Sequence, residues 1–274
     1  MKRKKRIGTV GKAIGCLFFL MVSLFPIYWL VAMAIRPTDE MRGHIALIPQ
    51  SLTGIHFAEL FSAKNFGTAI INSLQTTFDS LFVSLVVGIC AAYIIARRRF
   101  RFGLKKPMTY WVLLVRVLPP VAFTIPLYIM FKKIGLYNSP WAIVIIFTVI
   151  QSAFGTYLLS SVYGTFPKSI LEAATIDGAS RWTIFRKIVF PISKPTLSVM
   201  LVFFFIWTWN EYMIPMAFLI DNSTQTIPIA VSSLTGDRLM DVTTTAAASL
   251  ISIVPTLISV SYTHLRAHET LSDL

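Results

Sequence analysis

The sequence is organised around residues 166–195, which read FPKSILEAATIDGASRWTIFRKIVFPISKP. Gly178 occupies the place where a left-handed residue ends a helix, and Ser180 can cap a second helix. Pro191 and Pro195 are predicted to break the chain before the next apolar run, because proline removes a helical hydrogen bond. The stretch therefore predicts a helix, a glycine turn and a second helix, placed between two long apolar segments.

The composition on either side of this stretch is that of a membrane protein. The 274 residues are 55% apolar and only 14% charged, with a mean hydropathy of +0.69, whereas soluble domains carry about 25% charged residues. We predict an all-α, polytopic membrane protein in which residues 1–262 form one transmembrane domain. Its six transmembrane helices are predicted at residues 13–35, 70–96, 108–131, 141–163, 196–220 and 244–261, with a cytoplasmic loop at 164–195.

The basic residues behind the net charge of +13 are concentrated in particular loops, and this distribution predicts the orientation of the chain in the membrane. Of 25 Lys and Arg residues, 17 lie in residues 1–12, 97–106 and 163–198, and six lie in the alternate loops. Loops rich in Lys and Arg stay in the cytoplasm, which places the N-terminus and the 163–198 segment inside. This distribution argues against a nucleic-acid-binding surface.

Within the central stretch, three features share the spacing of a known motif. Glu172-Ala173-Ala174 is followed after three residues by Gly178 and after nine more by Ile188-Val189-Phe190-Pro191. This resembles the EAA loop of carbohydrate importer permeases of the ATP-binding-cassette (ABC) class, of maltose and trehalose type, with Phe190 in place of a leucine. The resemblance implies the type I ABC importer permease fold. It also implies that five residues couple the chain to an ATPase subunit: Glu172, Ala173, Ala174, Asp177 and Gly178.

The same resemblance implies the function and the partners. The chain is expected to form half of the translocation pathway for a sugar or oligosaccharide in a bacterial inner membrane. Its expected partners are a second homologous permease, two ATPase subunits, an extracytoplasmic solute-binding protein, the sugar and membrane lipid. Polyamines, amino acids or phosphate are alternative solutes. A stand-alone secondary transporter is a further alternative, but it would need an inverted repeat or a chain of membrane acids, and neither is seen.

Ionisable residues inside spans are costly and are therefore candidates for function. Arg116, which precedes a proline pair in the third span, and Glu211 are of this kind, as is Asp79. Trp207 and Asn210 lie beside Glu211 in a segment that resembles the aromatic-rich WNxF segment of sugar permeases. Arg116, Trp207, Asn210 and Glu211 are the predicted pathway or gate residues. Two alternatives remain open, an ion pair that only fixes helix packing and an aromatic belt at the membrane interface.

No hydrolytic, cofactor or metal site is predicted. Residues 8–13 are too short for a phosphate-binding loop and lead into a span, so ATP hydrolysis is assigned to another subunit. His264 and His268 lack a third ligand. They lie in residues 263–274, an atypical tail of mixed charge where the family resemblance ends, to which no function is assigned. Cys16 and Cys90 are assigned to helix packing.

Overall fold

The computed structural model describes residues 2–42, 45–97, 110, 112, 114–115, 117, 119–165, 167–234 and 239–272. These residues form helices and connecting turns without a strand, which confirms the all-α prediction. The α-helices are α1 Lys2–Ala34, α2 Ile55–Ser62, α3 Phe66–Arg97, α4 Pro120–Lys133, α5 Pro140–Thr165, α6 Lys168–Ile176, α7 Arg181–Ile184, α8 Phe190–Asn210, α9 Met213–Phe218, α10 Ile227–Ser233 and α11 Leu239–Ser272.

Several of these helices are long and apolar enough to cross a membrane. In the described residues they are Lys12–Ala34, Phe66–Ala96, Pro140–Thr165, Arg181–Asn210 and Val242–Ser261. The predicted third span, 108–131, lies partly outside the described residues, and α4 forms its second half. The architecture is consistent with the six predicted spans.

The chain divides into two compact units. The first comprises Met1–Gly67 and Ala230–Val254, and the second comprises Thr68–Ile229 and Pro255–Leu274. The predicted coupling and pathway residues that the structure describes lie in the second unit.

In the first unit, a polar loop follows α1 and is held by a buried arginine. The Arg36 side chain is fully buried and donates to the carbonyl of Ala46. Its own carbonyl lies 2.9 Å from Nε2 of His56, which is also buried. Glu40 accepts hydrogen bonds from the amide and the hydroxyl of Ser51 at 2.9 and 3.0 Å. These bonds offset part of the cost of burying polar groups, although Nε of Arg36 has no hydrogen-bond partner among the described residues.

The second unit contains two apolar clusters. One joins α4, α5 and α9 through residues such as Phe131, Phe147 and Phe218. The other joins α3, α5 and α8 with the helical turns before α8, through residues such as Leu159 and Met200. The second cluster supports the predicted coupling loop.

Glycines let the helices of this second cluster approach closely. A Cβ at Gly88 of α3 would lie 3.5 Å from the backbone nitrogen of Thr156 in α5. A Cβ at Gly155 would lie 2.6 Å from the Met200 methyl group of α8. Small residues at such contacts are typical of packed membrane helices.

The prediction that Pro191 and Pro195 break the chain is wrong. Helix runs continuously from Arg181 to Asn210, with a π-helical turn at Phe185–Val189. The amide of Phe190 donates to the carbonyl of Phe185, five residues earlier. Pro191 follows directly as one of the first residues of α8. A π turn is wider than an α turn, so it accommodates the proline ring and its missing N–H without a break.

Two predicted boundaries also differ from the structure. The predicted span 196–220 is not one continuous helix. Helix α8 ends at Asn210, and the next residue, Glu211, has an extended backbone with φ −72° and ψ 125°. Helix α11 does not end with the predicted span 244–261 but continues to Ser272, and the assignment of residues 263–274 as an atypical tail stays a prediction. Cys16 and Cys90, for which helix packing is predicted, are both exposed in this chain, and their packing role stays a prediction.

Candidate coupling loop and pathway residues

The helix that carries the EAA residues, α6, ends in a Schellman motif. The amide of Gly178 donates to the Thr175 carbonyl at 3.1 Å, and the amide of Ala179 donates to the Ala174 carbonyl at 3.0 Å. Gly178 has φ +78°, the left-handed conformation that this motif requires and that glycine adopts without strain. The predicted helix and glycine turn are therefore present, and the hydrogen bonds fix the direction in which the chain leaves α6.

The two sides of α6 face different surroundings. Leu171 and Ala174 pack against the apolar cluster of α3, α5 and α8. Glu172 and Ala173 are exposed, and Ile176 is 85% exposed. Exposure of a large aliphatic side chain costs about 1.5–3 kcal/mol relative to burial. The outer side of α6 therefore carries a carboxylate, Glu172, and an exposed large aliphatic side chain, Ile176, four residues apart on one helix face.

The predicted second helix is present as α7, and the side chain of Ser180 caps it as expected. Its hydroxyl accepts from the Thr183 amide at 3.1 Å. Trp182 is 68% exposed and stacks on Phe185, with ring centroids 5.6 Å apart. Phe185 in turn contacts Tyr93 of α3 edge-on, at 5.6 Å. The loop thus presents an exposed indole whose neighbour is anchored in the core.

The predicted pathway residues at the end of α8 lie at a helix break. One carboxylate oxygen of Glu211 accepts from the amides of Met213 and Ile214 at 3.1 and 3.4 Å, and so caps the start of α9. The side-chain nitrogen Nδ2 of Asn210 donates to the Ile206 carbonyl at 2.7 Å. The same nitrogen contacts the hydroxyl oxygen of Thr256 in α11 at 3.4 Å. Glu211 therefore shapes the backbone here, while the Asn210 side chain is exposed.

The aromatic residues of this segment do not all face one way. Trp207 is half-buried and packs edge-on against Phe147, with centroids 5.3 Å apart. Trp209 is buried and stacks on Phe205 at 5.6 Å. The fourth predicted pathway residue, Arg116, lies outside the described residues. The structure brings Trp207, Asn210 and Glu211 to one helix end.

Comparison with known protein families shows which family the chain belongs to. The family of binding-protein-dependent transport system inner membrane components matches residues 84–268, more than half of the sequence. This chain belongs to that family. The match includes the predicted coupling loop and the end of α8, so both lie within the part that the family shares.

Individual relatives of this inner membrane component agree with the assignment. The trehalose transport system permease protein SugB of Mycobacterium tuberculosis is 25% identical over 87% of this chain and 86% of its own length. The melibiose/raffinose/stachyose import permease protein MelC of Bacillus subtilis is 27% identical over 94% of this chain and 91% of its own length. A solved bacterial transporter that imports the polysaccharide alginate aligns with a TM-score of 0.81 at 20% identity, covering 96% of this chain and 97% of its own. That structural likeness shows the fold.

Sequence reasoning missed the polar centre of this inner membrane component. Gln151 of α5 is buried; its carbonyl accepts from the Ser84 hydroxyl of α3 at 3.0 Å. Its amide donates to the Thr208 hydroxyl of α8 and approaches the Phe204 carbonyl at 3.4 Å. A glutamine within an apolar run was the available sign, since polar side chains inside spans bond across helices.

A second missed residue is Asn138, in the turn between α4 and α5. Its side-chain oxygen accepts from the amides of Ile220 and Asp221 at 2.9 and 3.2 Å and from the Thr224 hydroxyl at 2.9 Å. Its side-chain amide donates to Asp221. Asn138 has φ +57°, a conformation that asparagine tolerates better than most residues. One residue therefore joins two connecting loops.

Beside Asn138, burial raises the pKa of Tyr137, and a hydrogen bond with Tyr128 and the charge of Asp221 raise it further.

At the start of α3, the side-chain amide of Asn72 donates to the Ser223 and Gln225 carbonyls at 2.8 and 3.0 Å. Both contacts fix the segment that follows α9.

Proposed function

We propose that this chain is the membrane-spanning subunit of an ATP-driven importer and forms half of the pathway for a sugar or oligosaccharide. Family membership supports the importer class. The sugar assignment is supported by relatives named for trehalose, for melibiose, raffinose and stachyose, and for diacetylchitobiose. No feature of the described residues favours a non-sugar solute or a stand-alone transporter.

The observation that carries the proposal is the two-sided geometry of α6. Leu171 and Ala174 anchor it to the membrane-spanning helices, while Glu172 and Ile176 project outward. A surface that is fixed behind and exposed in front can transmit a push from a bound partner. We assign that partner as an ATPase subunit which hydrolyses ATP, with Glu172, Ala173, Ala174, Asp177 and Gly178 as the coupling residues.

The assembly would contain a second homologous permease, two ATPase subunits and an extracytoplasmic solute-binding protein. An alginate transporter has been solved in complex with a substrate-bound periplasmic protein, which supports the last partner. The loop at 163–198 and the N-terminus would lie in the cytoplasm, supported by the distribution of Lys and Arg.

Within the pathway, the geometry suggests different roles for the three candidates that the structure describes. The exposed side chain of Asn210 would offer hydrogen bonds to sugar hydroxyls, and Trp207 would line the pathway from its place against Phe147. Glu211 would act through the backbone by holding the break between α8 and α9. Arg116 stays a predicted gate residue.

Replacement of Glu172 by lysine tests the coupling role. We expect Glu172→Lys to abolish sugar uptake and reduce retention of the ATPase in membranes, with an unchanged amount of the chain, because the exposed charge is reversed at the docking surface. Uptake of a labelled disaccharide panel and co-purification of the ATPase are measured together. Glu59→Lys, at a 47% exposed side chain of α2, is the matched control. Normal uptake by Glu172→Lys would remove the loop from the mechanism.

A further inference from the structure

A cavity of about 320 Å³ lies between α4, α5 and α9 in the second unit. Its described lining includes Leu127, Met130, Ile145, Val149 and Phe218 and is apolar apart from Thr124. A sugar needs several polar partners, which this lining does not offer. An apolar cavity of this kind takes an apolar ligand instead of water, and its volume is at the lower end of the range for ligand pockets.

The cavity opens sideways, between the exposed faces of two antiparallel helices. Met130 of α4 is 49% exposed, and Ile145 and Val149 of α5 are 42% and 54% exposed. These three side chains line the cavity and also face outward. Because α5 is a candidate membrane span, an opening on this side gives access to the hydrocarbon of the bilayer.

A positive charge and an aromatic ring lie about one helical turn from lining residues of the cavity. Lys133 follows Met130 by three residues on α4, and Trp141 precedes Ile145 by four residues on α5. Residues three or four apart lie on the same face of a helix. The Lys133 side chain is exposed, and Trp141 is 54% exposed. Tryptophan prefers the membrane–water interface, and a lysine ammonium pairs with the phosphate of a lipid headgroup through charge-assisted hydrogen bonds.

We infer that this groove is a binding site for an anionic phospholipid. One acyl chain lies in the cavity against Met130, Ile145 and Val149, and the phosphate headgroup pairs with Lys133. The positive charge of Lys133 favours an occupant with a negative charge beside its apolar part, as an anionic phospholipid has. A purely apolar side chain of a partner protein would fill the cavity but would leave the nearby lysine without a role.

The test is native mass spectrometry of the full-length chain purified in a non-ionic detergent. Phosphatidylglycerol or phosphatidylcholine with identical acyl chains is added in increasing amounts. We expect phosphatidylglycerol to bind about fivefold more tightly, a difference of the size expected for one lysine at a membrane surface. Lys133→Glu should remove this preference, and Val149→Trp, which fills the groove, should weaken both lipids. Equal binding of the two lipids to the unaltered chain would overturn the inference.

Matched variants separate the groove from general effects. Lys64→Glu changes an exposed charge elsewhere, and Val199→Trp adds an indole at a 61% exposed position of α8; both should bind lipid normally. A photo-reactive benzoyl-phenylalanine at position 149, activated in whole membranes, should capture lipid. Capture of a protein chain at this position would show that a subunit occupies the groove and would overturn the lipid assignment.

Discussion

At the scale of single residues, Gln151 bonds to more helices than any predicted site residue that the structure describes. It connects α3, α5 and α8 through Ser84, Thr208 and the carbonyl of Phe204. Its position follows from helix packing over long sequence separations. No local pattern in residues 141–163 indicates which helices meet there, so its partners could not be predicted.

We expect Gln151→Leu to destabilise the chain by about 1 kcal/mol, because hydrogen bonds between membrane helices average about 0.6 kcal/mol and reach about 1.7. Thermal unfolding in detergent measures the loss. The variant Thr208→Val and the double variant complete a double-mutant cycle. A coupling energy of zero between positions 151 and 208 would contradict the bond. Ser160→Val, at a hydroxyl bonded only within its own helix, is the control.

Gly178 permits a second prediction, which depends on backbone conformation alone. A Cβ at this position would meet nothing within 4 Å, but φ is +78°. Valine there costs about 1–3 kcal/mol of backbone strain, and asparagine costs less, because it tolerates left-handed geometry. We expect uptake to fall in the order glycine, asparagine, valine. Gly164→Val, also without neighbours within 4 Å, should transport normally. Equal uptake by all three residues at position 178 would contradict the predicted strain.

At the scale of elements, the central stretch shows what local sequence can and cannot decide. The cap at Ser180 and the turn at Gly178 were predicted, because both depend on residues within a few positions. The proline break was wrong, since Pro191 is accommodated by a π turn whose residues, such as Val189, are buried in the core. Tertiary packing, which the local pattern does not contain, stabilises that wider turn.

The loop after α1 gives a prediction on pH. Partial burial raises the pKa of Glu40, but hydrogen bonds from the amides of Gln50 and Ser51, the Ser51 hydroxyl and the charge of Arg36 outweigh it and lower the pKa overall. A carboxyl with a lowered pKa stabilises the fold above its ordinary pKa and loses this contribution as the pH falls through the folded value. We therefore expect Glu40→Gln to lower the Tm at pH 7.

This difference in Tm between the unaltered chain and Glu40→Gln should shrink as the pH falls below about 4.5, the ordinary pKa of the group. Melting curves between pH 3.5 and 7 measure it. Asp39→Asn, at an exposed neighbouring carboxylate, is measured as the control variant. A Tm difference that is constant across this range would contradict the role of the Glu40 charge.

At the scale of the whole molecule, the orientation in the membrane is a prediction from charge. In a variant without Cys16 and Cys90, we expect Ser51→Cys and Asn222→Cys to react with a membrane-impermeant maleimide in intact cells. Ser169→Cys should react only after permeabilisation. All three positions are exposed, so differences in labelling report the side of the membrane. Labelling at position 169 in intact cells would reverse the orientation and remove the docking assignment.

The continuous helix from Arg181 to Asn210 has a mechanical consequence. Its 30 residues span about 45 Å at a rise of 1.5 Å per residue. A tilt of about 10° around its midpoint would displace each end by about 4 Å, in opposite directions. Trp182 lies at one end and Asn210 at the other, so the helix is a lever. A small stroke at the indole would become an opposite stroke at the amide, reduced by any bending at the π turn Phe185–Val189 or at Pro195, which lie between them.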